Sequence, residues 1–254
     1  MSAAPSLRYE RELLRELGVR WLASVDEVGR GALGGPVTVG VVLVDLNTKA
    51  APTGVRDSKL LSPASRLRLV PRLQRWAPAW AVAHAEAAEI DAFGILRALR
   101  LAGERAFAQL PVRPAHVLLD GSYDWVSRPA PALFDEDGAL SDPAAWVEPP
   151  PVTVRVKADM TCSSVAAASV LAKTTRDALM VELAAREPCY GFDVHKGYAS
   201  PEHLEALHRH GPCDEHRRSW AIPGGRGGPA VDGSIDVRED ATAELDELVP
   251  LDGR

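Results

Sequence analysis

Cysteine is scarce in this chain. Its 254 residues hold 3 of them, at Cys162, Cys189 and Cys213, with no Cys-x-x-Cys pair. An odd, scattered set fits neither a disulfide framework nor a zinc site. It suits a reducing cytoplasm. Long apolar runs are missing too. None reaches about 18 residues, so no membrane span is expected. Met1 to Arg8 lack the apolar segment of a signal peptide. There is no internal repeat. An excess of positive charge, the usual footprint of a nucleic-acid binder, is also absent, the net charge being -6. That deficit is local. From Arg226 onward there are 3 basic and 8 acidic residues, which leaves -1 for residues 1–225. Net charge therefore neither supports nor excludes a polyanionic partner.

What is present is an ordinary globular composition, 46% hydrophobic and 25% charged, long enough for one large domain or two small ones. Residues 6–17 read as an amphipathic helix closed by Gly18. Trp21 to Asp26 is a short apolar strand. Pro36 to Asp45 is β-branched and apolar, which suits a buried strand. Ser62-Pro63 starts a helix with proline at its first position, running to Trp76. Further strands are expected at 80–87, 115–120 and 151–157. Helices are expected at 90–109, 163–186 and 201–210. The stretch 163–186 is Ala-rich and the strongest helix signal in the chain. Residues 125–151 read as a surface loop, rich in proline and acids. The expected fold class is α/β, since strands alternate with helices. The expected domain spans 1–224, and 225–254 form an acidic tail expected to be disordered.

The chemistry centres on carboxylates. Asp26-Glu27-Val28-Gly29-Arg30-Gly31 ends one strand and precedes another. Neighbouring side chains on a strand face opposite ways, so both acids reach one site only if the backbone bends, and Gly29 and Gly31 permit that. Alone, this segment is better read as a charged hairpin turn. The match of Gly29-Arg30-Gly31-Ala32-Leu33-Gly34 to a dinucleotide fingerprint fails, because those glycines lead into Pro36 and a strand rather than a helix. Asp120 ends the apolar run 116–119, and Asp159 follows residues 155–158. Each by itself is an ordinary turn former. Gathered at one sheet edge, such acids would repel and raise one another's pKa. Hard divalent cations remove that cost, because they take oxygen ligands. Two of them can activate water and stabilise the leaving oxygen of a phosphodiester.

Other residues have plainer readings. Lys173 and Arg176 are expected on the outer face of the long helix, solvated there or in contact with DNA phosphates, the plainer reading being solvation. Asp177 is expected to pair with Lys173 at i−4. The histidines at 195, 203, 208, 210 and 216 lack the spacing of a metal site, and a surface role is expected for them.

Asp26-Glu27-Val28-Gly29-Arg30-Gly31, Asp57-Ser58-Lys59, Leu119-Asp120-Gly121, Lys157-Ala158-Asp159, the run from Val165 to Asp177, and His195-Lys196-Gly197-Tyr198 occur in one order. Together they resemble ribonuclease HII, the type 2 ribonuclease H, over roughly residues 20–220. The resemblance implies a ribonuclease H-like mixed β-sheet flanked by helices, with a C-terminal helical part. It implies four site carboxylates, Asp26, Glu27, Asp120 and Asp159, holding two Mg²⁺ or Mn²⁺ ions. It implies cleavage 5′ to a ribonucleotide in an RNA–DNA hybrid or in duplex DNA, leaving a 3′-OH and a 5′-phosphate, by a monomer. It implies that Gly29, Arg30 and Gly31 read the ribose 2′-OH through their backbone, that Tyr198 packs on the following sugar, and that Lys59 contacts phosphate. Two other functions compete with it: a ribonuclease H-like DNA nuclease, and a non-catalytic nucleic-acid-binding module. The chain departs from the pattern in a long, acidic 125–151 segment, in Met160-Thr161-Cys162 where a more polar stretch is expected, and in a tail without counterpart.

Overall fold

The structure is a computed structural model that describes residues 4–127 and 149–224. The segment 128–148 and the tail from 225 lie outside it, so the readings of most of the acidic loop and of the tail fall there too. Five strands form one mixed sheet in the order β3-β2-β1-β4-β5. They are β1 (Leu22–Val28), β2 (Val37–Val44), β3 (Ala79–Ala85), β4 (His116–Asp120) and β5 (Val152–Arg155). β1 to β3 form an antiparallel meander, while β4 and β5 run parallel to β1. Every residue of β2 is buried, as its unbroken β-branched run requires of a strand covered on both faces.

The helices are α1 (Arg8–Leu17), α2 (Pro63–Trp76), α3 (Ala87–Phe93), α4 (Ile95–Ala108), α5 (Ala158–Thr161), α6 (Ser163–Arg186), α7 (Phe192–His195) and α8 (Pro201–His210). Side-chain alternation splits the core into two layers. Leu22 and Leu118 face α6 and α2, while Ala23, Val25, Val117 and Leu119 face α3 and α4. A third cluster, around Met180, Tyr190, Phe192 and Leu207, packs the C-terminal helices.

α6 lies against the sheet because its inner face is built of small residues. Ala166, Ala167, Ala168 and Ala172 are all fully buried. A Cβ on Gly40 of β2 would stand 2.4 Å from the Ala168 carbonyl oxygen, so glycine there lets helix and strand approach. The first turn of α6 is capped from another element. Glu10 of α1 is fully buried and accepts from Ser164 N–H at 3.0 Å and Ser164 Oγ at 2.7 Å, a favourable place for a carboxylate beside a helix N-terminus. Ser164 Oγ also meets Ser24 Oγ of β1 at 2.6 Å, which ties helix to strand.

Three expectations need correcting. The single helix at 90–109 is two, because Gly94 adopts φ 76 and ends α3. β1 does not end at Asp26; its pairing with β2 continues to Val28, so the acid pair lies inside a strand. β5 is shorter than 151–157, because Lys157 turns left-handed at φ 58. The long helix starts at Ser163 as expected, with the short α5 around Asp159 before it.

Candidate active site

The register of two parallel strands sets the centre of the site. Leu22 to Val25 of β1 pair with His116 to Leu119 of β4. One step on in each strand stand Asp26 and Asp120. Both follow residues that face α3 and α4, Val25 and Leu119, so alternation puts them on the α6 face. From Asp26 onward β1 keeps β2 on one side, while its ladder with β4 has ended. Asp120 Oδ1 accepts the Ala158 N–H at 2.6 Å and the Asp159 N–H at 3.4 Å. The left-handed Lys157 makes that turn and delivers Asp159, which is buried. Glu27 follows Asp26 and leaves on the opposite side of β1, 3.8 Å from the Arg30 guanidinium.

These acids share one field. Burial pushes the Asp26 carboxyl well above its usual range, and Glu27, Asp120 and Asp159 add to that, against Ser169. Burial raises Glu27; Arg30 opposes this, and Asp120 adds to it. Burial raises Asp120 despite its two backbone donors. Asp159 is pushed up to about 6 by burial, then by Asp120 and Asp57, with Lys59 opposing. The exposed Lys59 answers from the other side: burial alone would lower its pKa, but Asp57, Asp26, Asp159 and Asp120 raise it. Among the described residues no group of three or more Asp, Glu, His or Cys side chains is placed to hold a metal ion.

The loop carrying Lys59 is rigidly held. Asp57 caps the 3₁₀ turn Ser58–Leu60 by accepting the Lys59 N–H at 3.0 Å. Ser169 Oγ donates to Ser58 Oγ at 2.8 Å. The buried Arg66 donates to the Ser58 and Leu61 carbonyls at 3.0 and 2.7 Å, and pairs with Asp177 at 3.2 Å. Asp177 also takes Lys173, at 2.6 Å, as its i−4 spacing predicts. Asp57 is a further buried acid beside Asp26 and Asp159, and only its place in the Asp-Ser-Lys motif signalled it. Ser169 and Arg66 carried no comparable signal.

Gly29 (φ 86) ends β1, and a Cβ there would lie 2.1 Å from Arg176 Nε. Gly31 differs: a Cβ there would meet nothing within 4 Å. Packing within the described residues therefore does not require glycine there. The next turn is pinned to the loop of Tyr198, where the Leu33 and Gly34 amides donate to the Gly197 carbonyl at 2.8 and 3.2 Å. The Tyr198 ring is 37% exposed, with the Arg176 guanidinium 5.6 Å from its centroid.

Two expectations fail here. Arg176 is not on a solvated face but fully buried, because α6 is enclosed by the sheet on one side and the C-terminal helices on another. His203 and His216 are not at the surface either; they are 0% and 1% exposed. Their hydrogen bonds fix the tautomers. The Tyr198 carbonyl, at 2.9 Å, can only accept from His203 Nδ1. His203 Nε2 must then accept from His216 Nε2, 3.0 Å away, and His216 Nδ1 accepts the Cys213 N–H at 3.1 Å. Every ring nitrogen is used within the protein, so neither ring has a lone pair left for a metal.

The acids are the groups whose chemistry is suited to a metal. Their donors are oxygens only, and their mutual repulsion is partly uncompensated, which suits hard divalent cations.

Comparison with known proteins agrees with this architecture. The family model for ribonuclease HII matches residues 23–222. The chain is 42% identical over 217 residues to the ribonuclease HII of Streptomyces avermitilis, covering 85% of this chain and 84% of that protein. It is 44% identical over 204 residues to the ribonuclease HII of Nitrosococcus oceani, covering 80% and 90%. Among solved structures, ribonuclease H2 from Pyrococcus horikoshii OT3 superposes with a TM-score of 0.58 at 26% identity, over 79% of this chain and 93% of that one. Bst-RNase HIII in complex with Mn²⁺ shares the fold, with a TM-score of 0.52 at 22% identity, over 77% and 63%.

Proposed function

The chain belongs to the ribonuclease HII family, and from that premise we propose that it cuts the phosphodiester 5′ to a ribonucleotide, in RNA–DNA hybrids and in duplex DNA with single ribonucleotides. It is a ribonuclease H endonuclease with a mixed sheet and a helical C-terminal part. The observation that carries the finer reading is the set of buried acids whose charges raise one another and are only partly offset by Lys59 and Arg30. Such a set is costly without cations and favourable with them.

In this reading Asp26, Glu27, Asp120 and Asp159 hold two Mg²⁺ or Mn²⁺ ions. Bound there, the ions supply Lewis acidity and an activated water. The chain's own residues do the rest. Asp120 sets the position of Asp159 through the 158–159 backbone. Lys59, kept protonated by the acids around it, offsets phosphate charge. Gly29, Arg30 and Gly31 present their backbone to the ribose 2′-OH, the group that distinguishes RNA from DNA. Tyr198 offers its exposed face to the following sugar. Cleavage leaves a 3′-OH and a 5′-phosphate. The unit is residues 1–224, a monomer working in the cytoplasm, where the three cysteines stay reduced. Among the described residues no helix is long and apolar enough to cross a membrane.

The test is a duplex DNA with one ribonucleotide, incubated with Mg²⁺ or Mn²⁺ and compared with the same duplex in all-DNA form. A nick 5′ to the ribonucleotide is expected, and the all-DNA duplex should stay intact. Equal cutting of both would make the protein a DNA nuclease. Binding without cutting, with either metal, would make it a binding module.

A further inference from the structure

Two arginines are buried beneath the glycine loop, and neither makes a close ion pair with a carboxylate. Their partners are backbone carbonyls. Arg176 donates through Nε to Pro36 at 2.8 Å, through Nη1 to Lys196 at 2.9 Å and through Nη2 to Gly34 at 3.1 Å. Arg217 donates through Nη1 to Arg30 at 2.7 Å, and through Nη2 to Gly29 at 2.6 Å and Gly35 at 3.2 Å. The backbone N–H of Arg217 adds Leu33, at 2.9 Å. Within residues 29–36, six carbonyls are therefore held by two side chains and one amide. The seventh carbonyl in the set, Lys196, lies two residues before Tyr198.

The direction of these bonds matters. In a trans peptide the C=O and the following N–H point opposite ways. Arg217 draws the Gly29 and Arg30 carbonyls inward. The N–H groups of Arg30 and Gly31 must then face outward, on the side where a Gly31 Cβ would meet nothing. We propose that Arg176 and Arg217 are positioning residues for ribonucleotide recognition: they orient the Gly29–Arg30 and Arg30–Gly31 peptides toward substrate and hold that loop in fixed register with Tyr198. This rests on the reading that the loop senses the 2′-OH. Lysine could not replace either residue, because one ammonium cannot reach three carbonyls that diverge in a plane, as a guanidinium fork does. The near-contact of Gly29 and Gly35 with this layer fits the same account. A Cβ on Gly35 would lie 2.3 Å from Met180 Sδ and 3.5 Å from Arg176 Nη2.

The test compares wild type with Arg217→Lys and Arg176→Lys on two duplexes, one holding a single ribonucleotide and the other its 2′-fluoro analogue. The readout is the ratio of kcat/KM for the two, from which the fraction of folded enzyme cancels. Hydrogen exchange at residues 29–36 is followed in parallel, in the wild type as well. In the wild-type loop the Ala32, Leu33, Gly34 and Gly35 amides, each bonded within the protein, should be protected like the β1–β2 ladder, although the loop belongs to no strand. In each variant its exchange should rise at least tenfold while the ladder stays protected, and the ribose-to-fluoro ratio should fall at least tenfold toward unity. A ratio that stays at the wild-type value, with activity lost only in proportion to folded protein, overturns the proposal. A wild-type loop that exchanges at open-coil rates overturns it even if neither variant folds. If wild-type enzyme cuts both duplexes equally, the 2′-OH reading of the loop is what fails, and loop exchange alone still decides whether the arginines hold it.

Discussion

α6 carries two charge clusters of opposite sign, and they are stabilised in opposite ways. Beside its N-terminal half, Asp26, Glu27, Asp120 and Asp159 gather with only Lys59 and Arg30 to offset them. Two turns further along, Arg176 joins Arg217 in a fully buried pair. Burial, and after it Arg176, lowers the Arg217 pKa to about 9. The arginine pair is largely satisfied from within, because backbone carbonyls take all its donors but Arg217 Nε. The acids are not, and their charge is left for something brought from outside. A buried like-charge group that finds its partners in the fold serves shape, whereas one that does not stores free energy for a ligand.

The largest effect that should separate the two regions is on activity. Asp120→Asn should lower kcat by a factor on the order of 10³ or more, yet leave the metal-free protein as stable as wild type or more so, because it removes one member of a repelling set. Urea titration beside single-turnover cleavage checks both halves. If metal-free stability dropped as far as activity, the acids would be structural and the contrast would collapse.

Stability against pH comes next, and the two regions should respond in opposite directions. His203 and His216, which tie the Tyr198 loop to the C-terminal helices, titrate near 4 in the fold against 6.5 unfolded. A depressed pKa means that the unfolded state takes up protons first, so stability is full above 6.5 and drains as pH falls toward 4, by on the order of 3 kcal/mol for one ring. Asp159 behaves the other way, with a folded pKa of about 6 against 3.8. Its contribution is full below 3.8 and is lost as pH rises through 6, by an amount of about the same size. Mg²⁺ should erase the alkaline loss and leave the acid one untouched. Melting curves across pH 4 to 8 with and without Mg²⁺ would show it, and a metal effect as large at pH 4.5 as at pH 7.5 would count against the acids as its site.

A smaller change should disturb both regions together. Gly40 pairs across the ladder with Asp26, and a Cβ on it would press on the Ala168 carbonyl at 2.4 Å. Gly40→Ala should cost about 1–3 kcal/mol by overpacking and lower kcat as well, since α6 has to shift. Equal stability in the alanine variant would show that the helix has slack. The smallest effect belongs to Lys173→Ala. Its pair with Asp177 is short, but Arg66 holds the same carboxylate, so the loss should stay under about 1 kcal/mol with cleavage unchanged.

Much of this was legible in the residues themselves. The bounds of α6 and α8 follow from an Ala-rich run and from the Ser200-Pro201 start. Asp120 stood out at the end of the apolar run 116–119, whereas Asp159 was marked only by the Lys-Ala-Asp segment of the family resemblance. What stayed hidden shares one physical cause. Arg176 and Arg217 bond to carbonyls, which every residue carries, so nothing in the sequence marks those partners. Two long cationic side chains read as solvated until the fold encloses them. The buried His203–His216 pair is 13 residues apart in sequence, a separation no local pattern links. The break at Gly94 was missed because apolar spacing continues across it and only the backbone angle turns.

The spacing along α6 sets a limit on how the chain can change its length. Ser164, Ser169 and Arg176 each engage a different part of the protein, namely β1 with α1, the Lys59 loop, and the glycine loop. A helix turns about 100° per residue. One residue inserted between Ser169 and Arg176 would leave the acid end seated and swing the guanidinium away from every carbonyl it now meets. Substitutions in this helix can be graded in cost, but an insertion cannot, so length variation in the family has to be sought in the loops rather than here.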